Sequence, residues 1–210
     1  MKDVGISRRQ VLKGAGAVGV LGALGIPMTV FADGARVQWN VITIDRSHLP
    51  VSATVTAGGM LSSKAEDNSE ITLTGSGTFG AGEDGGVTGG GIWSTSDSVG
   101  TQTGSGTYKV TRFVSWTPGP GILPPFFNDT VGEHEDESGG LAVLQVRYSD
   151  GSRGVITISC NLDGAATKAV FEGITATKGF VDYWNRVRSE EPPPAPATAT
   201  LFHILDGDED

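Results

Sequence analysis

Glu133-His134-Glu135-Asp136-Glu137 sets four carboxylates and an imidazole side by side. Closely spaced oxygens suit a hard divalent cation such as calcium, and Glu133, His134 and Asp136 are the residues that would ligate it. The stretch has no EF-hand spacing, and the prolines before it (Pro118, Pro120, Pro124, Pro125) make a poor cage. An acidic loop in solvent accounts for the same residues, so no metal is assigned. Asp206-Gly207-Asp208-Glu209-Asp210 starts like a calcium loop but lacks the distal Glu, and it reads as an acidic tail.

Other candidates fall on their context. Gly75-Ser76-Gly77-Thr78-Phe79-Gly80 fits G-x-G-x-x-G, but a dinucleotide site needs that turn to open a helix. Ala81-Gly82-Glu83-Asp84-Gly85-Gly86 follows instead, so these are strand glycines and no cofactor is expected. His48 sits in a turn before Leu49-Pro50, and His203 shares a strand face with Leu201 and Leu205 as a core residue. Neither a Gly-x-Ser-x-Gly elbow nor a His-Glu-x-x-His helix is present. Cys160 is the only cysteine, so no intramolecular disulfide forms. It shares a strand face with Ile156 and Ile158 and reads as a small buried hydrophobe. Trp39, Trp93, Trp116 and Trp184 fall in or at the ends of strands, where core packing is the first expectation and a ligand-stacking mouth the second.

The elements that must position these residues are strands. Short runs rich in Val, Ile, Thr and aromatics, punctuated by Gly, Asp-Gly and Pro, predict strands near 36–44, 50–57, 70–79, 86–95, 105–116, 141–149, 153–160, 169–176, 178–185 and 199–205. The clearest hairpin joins Leu141–Tyr148 to Arg153–Cys160, with Asp150-Gly151 expected to supply positive φ angles. Ala142, Leu144, Val146 and Tyr148 form its apolar face, while Gln145 and Arg147 face solvent or a polar lumen. Two segments break the rhythm: a proline-rich then acidic loop over 117–140, and a Pro-rich connector over 189–199. Gly75-Ser76-Gly77-Thr78-Phe79 recurs as Gly104-Ser105-Gly106-Thr107-Tyr108. The fold expected is all-β, an antiparallel barrel of roughly eight to ten strands, with a β-sandwich as the alternative.

The N-terminus is of another kind. Residues 1–13 carry Lys2, Arg8, Arg9 and Lys13 against Asp3, a glycine-diluted apolar run follows, and Val30-Phe31-Ala32 closes it. Ser7-Arg8-Arg9-Gln10-Val11-Leu12-Lys13 resembles the twin-arginine (Tat) signal peptide. The resemblance implies export of an already folded protein by a prokaryotic Tat translocase, with Arg8 and Arg9 as the recognised pair. Small residues at Val30 and Ala32 place signal-peptidase cleavage after Ala32; an uncleaved anchor is the alternative, disfavoured by the short run and Pro27. The expected domains are then the signal over 1–32, one β domain over 33–205 and the tail over 206–210. Removing 32 residues takes away four basic and one acidic side chain, so net charge moves from −9 to −12. That balance argues against a nucleic-acid partner, and the absence of a second long apolar run argues against a membrane partner after cleavage.

Val87-Thr88-Gly89-Gly90-Gly91 and the Phe171-to-Gly179 segment resemble elements of the allene oxide cyclase and dirigent barrels. The resemblance covers about a third of the body and implies a barrel; no catalytic residue of those families has a matching position. The functional expectation is a periplasmic or extracellular non-enzymatic barrel whose mouth or lumen holds a small, partly apolar molecule, with Ile122, Leu123, Phe126 and Phe127 as a lid. A cyclase or isomerase acting through cavity-facing Arg147, Gln145 or Tyr108, and a structural or surface-interaction domain, are the competing readings.

Overall fold

A computed structural model describes residues 35–80, 86–162, 171–187 and 195–205. The runs of β-branched and aromatic residues become strands β1 (Arg36–Asp45), β2 (Ala53–Ala57), β3 (Leu61–Lys64), β4 (Glu70–Leu73), β5 (Ser76–Gly80), β6 (Gly90–Ser96) and β7 (Gln102–Gly119). They continue as β8 (Phe127–Asp129), β9 (Glu137–Tyr148), β10 (Arg153–Cys160), β11 (Gly173–Lys178), β12 (Val181–Tyr183), β13 (Asn185–Val187) and β14 (Ala197–Leu205). One 3-10 turn, His134–Asp136, precedes β9.

Six of these strands close on themselves. β1 pairs with β5, β5 with β6, β6 with β7, β7 with β9, β9 with β14, and β14 returns to β1, all antiparallel. The all-β antiparallel barrel expected from the sequence is therefore present, as a six-stranded ring. The remaining strands extend its edges: β10, β11 and β12 continue outward from β9, and β4, β3 and β13 continue from β6. β2 pairs with the upper half of β1 and carries β8 beside it in the one parallel pairing among the described strands.

The ring is filled. Phe79 stacks on Phe113 at 5.2 Å and meets Trp116 at 5.6 Å, and Trp116 meets Phe202 edge-on at 4.6 Å. Trp39, Phe79 and Phe202 are fully buried, so side chains from opposite walls meet across the interior. The same inward face runs on into the β9–β10 hairpin, where Leu144, Ile156, Ile158 and Cys160 are buried as the alternation predicts.

The repeated Gly-Ser-Gly-Thr now has a physical meaning. Trp39 on β1 pairs with Gly77 on β5, and Trp93 on β6 pairs with Gly106 on β7. Each glycine leaves room for the indole opposite: a Cβ would stand 2.9 Å from the Trp39 nitrogen at Gly77 and 3.0 Å from that of Trp93 at Gly106. The wide aromatic and the bare backbone together keep the wall closely packed.

Several expectations change in detail. The strand expected over 70–79 is two, β4 and β5, parted at Gly75 with φ +153°. That over 178–185 is also divided, with Trp184 between β12 and β13 and 57% exposed. β3 and β8 were not expected; each is short and poor in aliphatic alternation. The loop expected over 117–140 is consumed from both ends, because β7 runs through Pro118 to Gly119 opposite Gly140 and Gly139. In the β9–β10 turn only Gly151 takes a positive φ, of 89°; Asp150 instead accepts hydrogen bonds from the Ser152 amide and hydroxyl. The signal region, its cleavage site, most of the 189–199 connector and the acidic tail lie outside the described residues.

Candidate functional site

Polar chemistry concentrates on the outside of the ring, under the segment that leads from β8 to β9. Phe202 points into the barrel, so alternation turns His203 outward, opposite Gln38 on β1 and Glu137 on β9. β8 delivers Asp129 to that face by pairing with β2, and the Thr130 amide and hydroxyl both donate to Val55 O. His203 Nε2 lies 2.7 Å from Asp129 Oδ2, both side chains being essentially inaccessible. Gly132 lies against the imidazole so closely that a Cβ would stand 2.5 Å from the ring.

Glu137 completes the group. Its Oε2 accepts from the Leu123 amide at 2.7 Å, and its Oε1 lies 3.1 Å from His134 Nδ1. Burial holds the Glu137 carboxyl above the ordinary carboxylate range, against the opposing effect of the Leu123 amide. Donor atoms of Asp129, Glu137 and His203 lie within 4.8 Å of one another, a nitrogen-and-carboxylate set of the kind that suits zinc or manganese. Every one of those carboxylate oxygens already accepts a hydrogen bond or faces an imidazole, with Asp129 Oδ1 taking the Val131 amide at 2.8 Å. The arrangement therefore works as a latch that fastens the loop to the barrel wall.

The residues expected as metal ligands are placed differently from one another. Glu133 is exposed, Asp136 half-buried, and His134 turns toward Glu137. Sequence spacing alone did not show that Asp129 and His203, 74 positions apart, would meet.

A second carboxylate, on the half-buried Glu172, lies where β10 approaches β14. Glu172 accepts from the Asn161 and Thr200 amides at 2.7 Å each and faces the Thr200 hydroxyl at 2.8 Å. Burial pushes its carboxyl upward in spite of these bonds. Burial first, and Glu172 second, raise the neighbouring Cys160 thiol well above its ordinary value, which disfavours its thiolate form.

Beside this carboxylate lies a groove of about 470 Å³, formed by Pro118, Gly119 and Pro120 at the β7 end, Leu141 of β9, Cys160 of β10 and Phe171. Of the four residues expected as a lid, Leu123 is buried and anchored on Glu137, while Ile122 and Phe126 remain 53% and 42% exposed. Phe126 and Phe127 lie against each other at 4.8 Å. The expected cavity-lining residues separate: Tyr108 is buried with its hydroxyl donating to Thr74 O at 2.7 Å, whereas Gln145 and Arg147 lie on the outer, solvent face. Trp39 and Trp93 are core residues, and Trp116 joins the interior aromatic cluster.

Among the described residues no helix is long and apolar enough to cross a membrane. No curated protein and no solved structure matches the chain. Residues 5–25, which include Arg8 and Arg9, match the family of TAT (twin-arginine translocation) pathway signal sequences. The chain is thus a prokaryotic β-barrel protein exported through the Tat translocase, and its signal makes the translocase and signal peptidase its partners.

Proposed function

We propose that the protein is a non-enzymatic binding module of the periplasm or the extracellular space, released by cleavage after Ala32, which holds a small, partly apolar molecule. The groove between the β7 end and Leu141, Cys160 and Phe171 is the observation that carries this reading. It supports a site at the strand ends and not within the ring, since aromatic side chains fill the ring interior. Its volume of about 470 Å³ falls in the range of small-molecule pockets, and prolines on one wall limit the ordering cost of closing around a ligand.

Nile red, a neutral dye that brightens in apolar surroundings, tests the groove directly. Fluorescence should rise with the mature protein and fall at least tenfold in apparent affinity with Leu141→Arg, whose melting temperature serves as the folding control. No enhancement with the wild-type protein, or equal enhancement with a folded Leu141→Arg, overturns the reading.

A further inference from the structure

The outer face of the β7–β9–β10 sheet carries a feature at odds with the rest of this acidic chain. Lys109 on β7 pairs with Arg147 on β9, and Arg147 pairs with Arg153 on β10. Three cations thus stand side by side across three strands, and Arg112 follows two pairs along, past a bulge, opposite Gln145. All four side chains are exposed, and among the described residues none has a carboxylate partner. The nearby Asp150 in the hairpin turn is engaged by Lys178.

Like charges directly opposite one another destabilise a sheet. In a chain of net charge −9, with acidic residues in excess, the arrangement is not a by-product of composition. A row that weakens the fold and finds no carboxylate partner among the described residues marks a surface kept for something outside. The surface is also concave: Thr111, Arg112, Gln145, Arg147, Arg153 and Thr177 line a hollow of about 620 Å³.

We infer that this hollow, with Lys109 on the adjoining surface beside Thr111 and Arg147, binds an acidic polysaccharide, a linear sugar polymer bearing carboxylates. Neighbouring strands lie about 4.8 Å apart, so Lys109, Arg147 and Arg153 present positive charge at roughly 5 Å intervals over about 10 Å. That repeat is close to the length of one sugar unit, so an extended chain laid across the strands runs past all three cations. Arginine forks bind carboxylates through paired hydrogen bonds, and the Thr111 and Thr177 hydroxyls and the Gln145 amide supply the neutral partners that sugar hydroxyls need. No aromatic side chain lines the hollow around Arg112, Arg147 and Arg153, and Tyr108 and Tyr148 beside Lys109 are buried, which disfavours the base stacking that single-stranded nucleic acid uses. An exported protein meets such polymers at the cell envelope. This surface shares no residue with the apolar groove.

The experiment is affinity electrophoresis and titration of the mature protein with polygalacturonate, at low salt and at physiological ionic strength. Binding should weaken as salt rises, and Arg147→Glu/Arg153→Glu should reduce affinity at least tenfold without lowering the melting temperature or changing Nile red binding. Lys64→Glu, a charge change of the same sign on β3, should leave affinity within twofold. Absence of binding at low salt, equal affinity in a folded Arg147→Glu/Arg153→Glu variant, or equally tight binding of single-stranded DNA overturns the assignment.

Discussion

Trp39 faces Gly77 across the β1–β5 ladder, and the indole occupies the space that any side chain at position 77 would need. A Cβ at Gly77 would also stand 2.3 Å from Thr88 O, a backbone atom with nowhere to go. At Gly106 the nearest atom is the Ser149 hydroxyl, 2.2 Å away, a side-chain atom that can swing aside at the cost of its bond from the Thr107 amide. Gly77→Ala should therefore cost about 2–3 kcal/mol, and Gly106→Ala about 1 kcal/mol, following the usual penalties for overpacking. Urea denaturation of the two variants checks the order; an equal or reversed ranking refutes the argument.

Asp129 and His203 form a buried pair whose partners come from segments far apart in sequence. Removing one member leaves the other desolvated without compensation, which costs about 3–5 kcal/mol. Asp129→Ala should lose stability on that scale and expose the 130–136 segment to limited proteolysis. Asp129→Asn keeps an oxygen acceptor for His203 and should lose less. Digestion patterns resolved by mass spectrometry, read beside the unfolding midpoints, distinguish the two.

The buried carboxylates set a pH dependence with a definite sign. Glu137 and Glu172 are both held above their ordinary value of 4.5, chiefly by burial, so the folded protein binds these protons more tightly than the unfolded chain. Their contribution to stability is fully present below 4.5 and is lost as pH rises through the raised folded values. Asp150 acts oppositely: Lys178 first and Ser152 second hold it at about 2, so its contribution is present above 3.8 and is lost as pH falls through about 2. Asp150 is well exposed, so its share is small. The urea midpoint should rise as pH is lowered through the raised folded values to 4.5, and Glu172→Gln should flatten the rise. A midpoint that falls over that interval contradicts this account.

Export offers a check on the signal alone. Replacing Arg8 and Arg9 by Lys keeps the charge and removes the paired guanidinium groups. The precursor should then accumulate in the cytoplasm, as fractionation and blotting would show. Normal export of the double variant would refute the use of the Tat route.

The barrel was legible because its strands alternate: Ala142, Leu144, Val146 and Tyr148 announce a buried face before any coordinates are known. Cys160 and the strand glycines were legible for the same reason. Closure in six strands was not, since it depends on β9 meeting β14 through two residue pairs only, Ser138 with Phe202 and Glu137 with His203. The same limit hid the polar latch, because alternation showed that His203 shares a strand with Leu201 but not that the barrel turns it outward. Arg147 and Gln145 drew notice as polar residues on a barrel strand, yet only the register shows that Arg147 stands between Lys109 and Arg153. Pro118 misled, since a proline ordinarily disfavours a central strand, but here it ends a long strand opposite Gly140.

β1 opens the described chain and β14 closes it, with Arg36 opposite Leu205. Until β14 is in place, one edge of β1 and the start of β9 stay unpaired, two exposed templates for any other strand nearby. The interval between making β13 and seating β14 is thus the period of greatest aggregation hazard. Engineering could move that interval: joining Leu205 to Arg36 and reopening the chain at the Asp97–Thr101 turn would keep the wall and change which strand arrives last.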